Sequence, residues 1–268
     1  MNIVEIGSSA RGDGDYWSDR DVLVIAAAAE LPGIEARLSA KGASVVSLTH
    51  GKFDWLASKG SLFLKHAIDE GVILDGASGC WESLTNRWCS NGDYSQEIQS
   101  NLNFLPMLRC IPTQADAAAT AVDIMVCSVR NILIRELASR GIFSFSWRDI
   151  CRSSCKVFKF SAGAWRAIYW AREQKNKRRA RLPTYVEAIQ VEEFAEIYRM
   201  ILGSNLISWT SSSKRIERLA SNFTAGSYAQ LRAFELLCSS READIGLSKL
   251  REITANPSYF CSGRSGLQ

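Results

Sequence analysis

The first 75 residues alternate short β-branched runs with short helical patterns. Asn2 to Ile6 is an apolar segment that stops at Gly7. Asp21 to Ala28 (DVLVIAAA) reads as a buried strand, because aliphatic residues follow one another without polar interruption. Leu31 to Lys41 carries Ile34 and Leu38 at helical spacing, with Pro32 near its start and Gly42 past its end. Ala43 to Thr49 (ASVVSLT) is a further strand. Ser61 to Glu70 predicts a helix with Leu62, Phe63, His66 and Ala67 on one face. Gly71 stops it, and Val72 to Leu74 returns to extended chain before Asp75. Strand, turn, strand, helix, strand, helix, strand is the order of an α/β unit.

Gly76 to Asp93 is rich in Gly, Ser, Asn and Trp and has no period, so it reads as a linker or long loop. Beyond it strand signals nearly vanish. Helical patterns cover Gln114 to Arg140, Trp147 to Phe158, Ala162 to Arg179, Tyr185 to Leu202, Lys214 to Asn222, Tyr228 to Cys238 and Ala243 to Ile253. Val186, Ile189, Ile197 and Ile201 mark the apolar stripe of one of them. The chain therefore divides into an α/β unit over 1–78, a linker and helical start over 79–110, a helical bundle over 111–256 and a tail over 257–268. The expected fold class is α+β.

Composition narrows the class without naming an activity. The chain has 268 residues, 47% hydrophobic and 22% charged, enough to bury a core without disulfide or metal staples. No apolar run reaches the roughly 18 residues of a membrane span. The start lacks a basic segment followed by an apolar one, so the expected compartment is the cytoplasm. Eight cysteines include no C-x-x-C pair, and neither histidine lies near a cysteine pair, so they read as reduced, buried small hydrophobes rather than a zinc site. A net charge of +4 is too small to argue for a nucleic-acid partner by itself. The charge is concentrated at Arg172 to Arg181 (REQKNKRRAR), a solvated helix end or a phosphate-contacting patch.

Candidate chemistry lies between Gly7 and Ile25 (GSSARGDGDYWSDRDVLVI). Asp19 and Asp21 are two residues apart at the start of a strand, and side chains at that spacing share a face. Two carboxylates on one face repel unless a cation lies between them, and magnesium favours such oxygen donors together with phosphate. Gly7 permits a sharp turn and close approach of a phosphate to the backbone. Ser8 and Ser9 supply hydroxyls beside it, and Arg11 adds positive charge. A phosphate cradle joined to a carboxylate pair suits metal-assisted nucleotidyl transfer.

The G-S-x10-D-x-D spacing, with A-R-G after the serine pair and S-D-x-D before an apolar strand, resembles the DNA polymerase β-like nucleotidyltransferase superfamily. It looks closest to the minimal nucleotidyltransferase branch, which includes antitoxin adenylyltransferases and is related to antibiotic nucleotidyltransferases. Gly60 to His66 (GSLFLKH), through Glu70-Gly71 to Leu74-Asp75, is similar to a second stretch of many such proteins. The resemblance covers the first 75 residues and implies a small mixed-sheet nucleotidyltransferase domain followed by an α-helical bundle. It implies that Gly7, Ser8, Ser9 and Arg11 bind a nucleoside triphosphate, in the first place ATP. It implies that Asp19 and Asp21 are catalytic and hold Mg2+ or Mn2+. The acceptor hydroxyl would belong to a protein, a small molecule or, ranked below these, a nucleic acid.

The chain also departs from that pattern. Family members usually carry a third carboxylate on the next strand, and Ala43 to Thr49 holds no acid. Asp54, Glu70 and Asp75 are the nearest substitutes. The family usually has a helix before the first strand, which here begins at about residue 2. No histidine follows His66, so the helical half lacks the R-x4–6-H motif of ribonucleases that pair with this domain. A degenerate nucleotide-binding regulatory or antitoxin-like module is therefore the alternative to an active transferase. His66 reads as a satisfied, half-buried histidine. His50 follows the strand that lacks the acid and is a candidate to reach the site. Trp165, Tyr169 and Trp170 read as core, with base stacking as the alternative. Trp81 and Trp88 cover a cleft or pack a junction.

Overall fold

The computed structural model describes residues 1–14, 19–102, 111–112, 115–180, 182–184, 186, 188–202, 209–210, 214–215, 218 and 222. The helical patterns expected beyond Lys214, and the tail, lie almost wholly outside the described residues. The chain folds as two compact units. One comprises Met1–Tyr94 with Ala138–Asp149, and the other comprises Ser95–Leu137 and the chain from Ile150.

The first unit is built on a four-stranded mixed sheet, β3-β2-β1-β4. Its strands are β1 (Asn2–Ile6), β2 (Arg20–Ala26), β3 (Ala43–Thr49) and β4 (Val72–Asp75). β1 pairs antiparallel with both β2 and β4, whereas β2 and β3 run parallel. Between them come α1 (Gly7–Arg11), α2 (Leu31–Ser39), α3 (His50–Ser58) and α4 (Leu62–Glu70), and α5 (Ser78–Thr85) follows. The two-residue period of the strands divides the core. Val4, Ile6, Leu23, Ile25 and Leu48 pack on one face with Phe53 and Leu56 of α3, and with Leu64 and Ala67 of α4. Ile3, Val22, Val24 and Ala26 pack on the other with Ile34 of α2.

The α/β unit does not end at residue 78. Trp81 and Leu84 of α5 join the core beside Phe53, and the Trp88 indole N–H donates to the Ser61 carbonyl at 2.9 Å. The segment has no visible period because its buried residues are few and separated by small polar ones. α3 is a second departure from the expected order. Phe53, Leu56 and Ala57 at helical spacing follow Thr49, whose side chain accepts from the Lys52 N–H and caps the helix.

The second unit contains α6 (Ser95–Leu102), α7 (Ala115–Ala138, all but its last residue), α8 (Trp147–Phe158, from Ile150), α9 (Ala162–Arg179) and α10 (Ala188–Leu202). It also holds a two-stranded parallel pair, β5 (Ile111–Pro112) with β6 (Trp209–Thr210), which periodicity did not foresee. On α10 the buried residues among those described are Val191, Phe194 and Ile197. Of the expected stripe Ile197 is buried and Val186 half-buried, while the side chains of Ile189 and Ile201 lie outside the described residues. Of the α9 aromatics, Tyr169 differs from expectation, whereas Trp165 and Trp170 are half-buried. Ala164, Ala167, Ile168 and Ala171 form its buried face at i, i+3, i+4, i+7, which turns Tyr169 outward to 49% exposure. Trp165 packs edge-on to Phe160 at 5.4 Å. No described helix is long and apolar enough to cross a membrane.

Candidate functional site

The end of β1 and the start of β2 meet in register, with Ile6 opposite Asp21. Gly7 follows Ile6 directly and has φ +77, a left-handed conformation that glycine adopts without steric cost. A Cβ built there would sit 3.3 Å from Asp21 Oδ2. The Asp21 carboxylate is therefore tucked against the Gly7 backbone, half-buried on the face that carries Leu23 and Ile25. Asp19 lies one residue before β2 and is exposed, and its backbone carbonyl accepts from the Ser9 hydroxyl at 3.2 Å. Residues 7–9 and 19–21 thus form one rim of the sheet. Ser8 and Ser9 are half-buried within α1.

Arg11 closes that helix four positions after Gly7, so the two share a helical face. Its Nε donates to Asp13 at 3.1 Å, and its Nη1 donates to Glu70 and lies 3.3 Å from His66 Nε2. His66 Nε2 is in turn 3.0 Å from Glu70 Oε2. Glu70 and His66 stand four apart on α4, and His66 stacks on Phe145 at 4.8 Å. Burial opposes ionisation of Glu70, but hydrogen bonds from His66 and Arg11 outweigh it and hold the carboxyl below its ordinary range. Burial likewise opposes the Arg11 charge, and bonds to Asp13 and Glu70 outweigh it, so the guanidinium is held above its ordinary value.

The remaining candidates fall elsewhere. β3 runs parallel to β2 with Ser44 beside Asp21 and Thr49 beside Ala26. His50 therefore starts at the far end of the sheet, five strand residues or roughly 17 Å from Asp21. That removes the expectation that it reaches the site. Asp75 pairs with Ile3, three positions from Ile6, also toward that far end. Asp54 is bound to Arg87 at 2.7 Å. Ser44, Val46 and Leu48 are the β3 residues on the Asp21 face, and none is acidic. Asp19 and Asp21 supply hard oxygen donors of the type Mg2+ takes alongside phosphate, so the donor chemistry fits that ion. Among the described residues no group of three or more His, Cys, Asp or Glu side chains is placed to hold a metal.

Two features were not foreseen. Glu70 stands out in sequence only as a substitute acid, yet it binds Arg11. The i, i+4 spacing of His66 and Glu70 was the available signal for a shared partner. Phe145 comes from a segment far along the chain and carried no signal. The cysteines are also less buried than expected. Of the five described, only Cys151 is buried, with its thiol pushed up to about 12 chiefly by that burial; Cys80, Cys89 and Cys155 are exposed. Cys80 and Cys155 lie off the buried positions of α5 and α8, and Cys89 lies in the loop after α5.

Within the second unit, the basic run on α9 is partly engaged. Lys175 and Arg178 each approach the buried Asp123 of α7 at 3.5 Å, and Lys177 pairs with Glu173 at 2.7 Å. These contacts reduce the charge the run can offer to a polyanion. Compared with family models, with curated proteins and with solved structures, the chain matches none.

Proposed function

We propose that the first unit is a metal-dependent nucleotidyltransferase site that moves a nucleoside monophosphate from a nucleoside triphosphate onto a hydroxyl of a protein or small molecule. The observation that carries this reading is the placement of the Asp21 carboxylate against the left-handed Gly7, with Ser8, Ser9 and Arg11 following on one short helix. Glycine at that point leaves room for a phosphate beside the backbone. Asp19 and Asp21 would hold Mg2+ or Mn2+, which when bound neutralises charge on the triphosphate and the leaving group. Ser8, Ser9 and Arg11 orient the triphosphate. The acceptor hydroxyl gives up its proton to water as its oxygen forms a bond to the α-phosphorus, the bond to the bridging oxygen breaks, and pyrophosphate leaves with its electron pair. ATP is the first candidate nucleotide, and the cytoplasm is the compartment consistent with this chemistry.

A second reading is a degenerate module that binds nucleotide, or a partner protein, without turnover. It draws on β3, which offers Ser44 and Val46 where an acid would stand, and on Glu70, which is occupied by Arg11. One experiment separates the two. The protein is incubated with Mg2+ and each of the four nucleoside triphosphates labelled at the α-phosphate, with protein, aminoglycoside and RNA acceptors. An Asp19→Asn/Asp21→Asn variant runs beside it. Label appearing on an acceptor with wild type and absent with the variant supports transfer. Retention of nucleotide without transfer supports the module, and neither binding nor transfer refutes both.

A further inference from the structure

We propose that Glu70 and His66 are positioning residues for Arg11, fixing its guanidinium in the free protein so that it meets the triphosphate already ordered. The proposal rests on the nucleotidyltransferase reading of the same site and assigns Glu70 a role other than a missing metal ligand. An arginine side chain carries about 2 kcal/mol of rotamer entropy, and ordering it only on binding would weaken affinity. Here the ordering is done beforehand. Nε is held by Asp13 at 3.1 Å and Nη1 by Glu70, with His66 Nε2 3.3 Å from Nη1 and 3.0 Å from Glu70 Oε2. Among the described residues no acceptor engages Nη2, so that end of the fork remains to donate to a phosphate oxygen. The clamp is mounted on a rigid base. Leu64 and Ala67 anchor α4 in the core, and Phe145 stacks on the His66 ring.

His66 Nε2 can serve only one of its two neighbours as a hydrogen-bond partner of fixed sense. It accepts from Arg11 when it carries no proton and donates to Glu70 when it does. Either state leaves Glu70 as the anchor, because Glu70 bonds Arg11 directly. The carboxylate is accordingly the dominant positioning group and His66 the auxiliary one.

The test is calorimetric titration of the full-length protein with Mg2+ complexes of ATP, GTP, CTP and UTP, and with inorganic tripolyphosphate as a base-free probe. Wild type is compared with Arg11→Met, Glu70→Gln, His66→Leu and the Arg11→Met/Glu70→Gln double variant. Arg11→Met is expected to weaken triphosphate binding by about tenfold or more, the scale of one charge-assisted hydrogen bond. Glu70→Gln is expected to weaken it by a smaller factor, and the double variant to bind no more weakly than Arg11→Met alone. That non-additivity is what a merely structural role would not produce. His66→Leu, which preserves bulk against Phe145, carries the same comparison where Glu70→Gln does not fold. Wild-type affinity in Glu70→Gln, or penalties that add in full, would overturn the positioning role while leaving the nucleotide site standing. A wild type that binds none of the five probes overturns the nucleotide reading and this role with it.

Discussion

In the stretch from Gly60 to Asp75 both flanking glycines face backbone, whereas Gly7 in the other motif faces a carboxylate oxygen. A Cβ on Gly60 would strike the Asn91 N–H and lie 2.8 Å from the Cys89 carbonyl, and one on Gly71 would strike the Ala67 carbonyl. The helix between them buries Leu62, Leu64 and Ala67. The Gly7 region instead keeps Asp19 exposed and Asp21 half-buried. The second motif is therefore chiefly architecture that delivers His66 and Glu70 to Arg11. The first is a rim with its polar groups near the surface. Resemblance in sequence treats the two alike, and packing separates them.

The comparison breaks most easily at Gly60. Gly60→Ala adds a methyl against fixed backbone at φ +66. Left-handed strain costs about 1–2 kcal/mol and overpacking about 1–3. A loss of about 2–5 kcal/mol in urea unfolding is expected, with Asn91 and Cys89 forced to move. A loss below about 1 kcal/mol would mean that the loop after α5 yields and that the motif is not a packing element.

Gly7→Ala should behave differently. The strain at φ +77 is similar, but the new methyl meets only Asp21 Oδ2 at 3.3 Å. About 1–2 kcal/mol of stability is expected to go, with a disproportionate loss of Mg2+-dependent nucleotide binding because the carboxylate is displaced. Affinity equal to wild type in a variant that has lost the stability would detach Gly7 from the proposed site.

The strands of the first unit were legible because their runs are long relative to their surroundings. β1 and β3 were bounded correctly, and β2 begins one residue earlier, at Arg20, and stops two residues short at its alanine-rich end, where Ala27 and Ala28 carry no strand preference. α7, α8 and α9 were also readable from period alone. α5 and the Ala138–Asp149 segment were not, since joining the α/β unit depends on contacts across a long sequence separation. The rim residues Gly7 and Asp21 could be paired from spacing. The Arg11–Glu70 contact could not, because it depends on how α1 and α4 approach each other, which no local pattern encodes.

Acid stability offers a finer distinction between the motifs. Glu70 is held below its ordinary carboxylate range by His66 and Arg11 against the cost of burial. Between the folded and unfolded values only the unfolded chain binds the proton, so stability rises with pH there. The contribution is present above about pH 4.3 and lost as pH falls through the folded value. Glu70→Gln should therefore flatten the decline of the urea midpoint between about pH 5 and pH 3. An unchanged slope would show that Glu70 gains nothing from the clamp.

The smallest effect belongs to the cap of α4. Ser61 has ψ 120, outside the helical region, and its hydroxyl accepts from the Leu64 N–H at 3.5 Å. Loss of an N-cap costs about 0.5–2 kcal/mol, and so long a bond argues for the lower end. Ser61→Ala should thus cost about 0.5 kcal/mol by urea unfolding. The Ser61 carbonyl, a backbone group, continues to accept from Trp88, so the approach of the 78–94 segment is preserved. Because the cap touches neither His66 nor Glu70, triphosphate affinity should stay at the wild-type value. A fall in affinity with so small a change in stability would show that α4 transmits its own fraying to Arg11, and that architecture and site are less separable than their packing indicates.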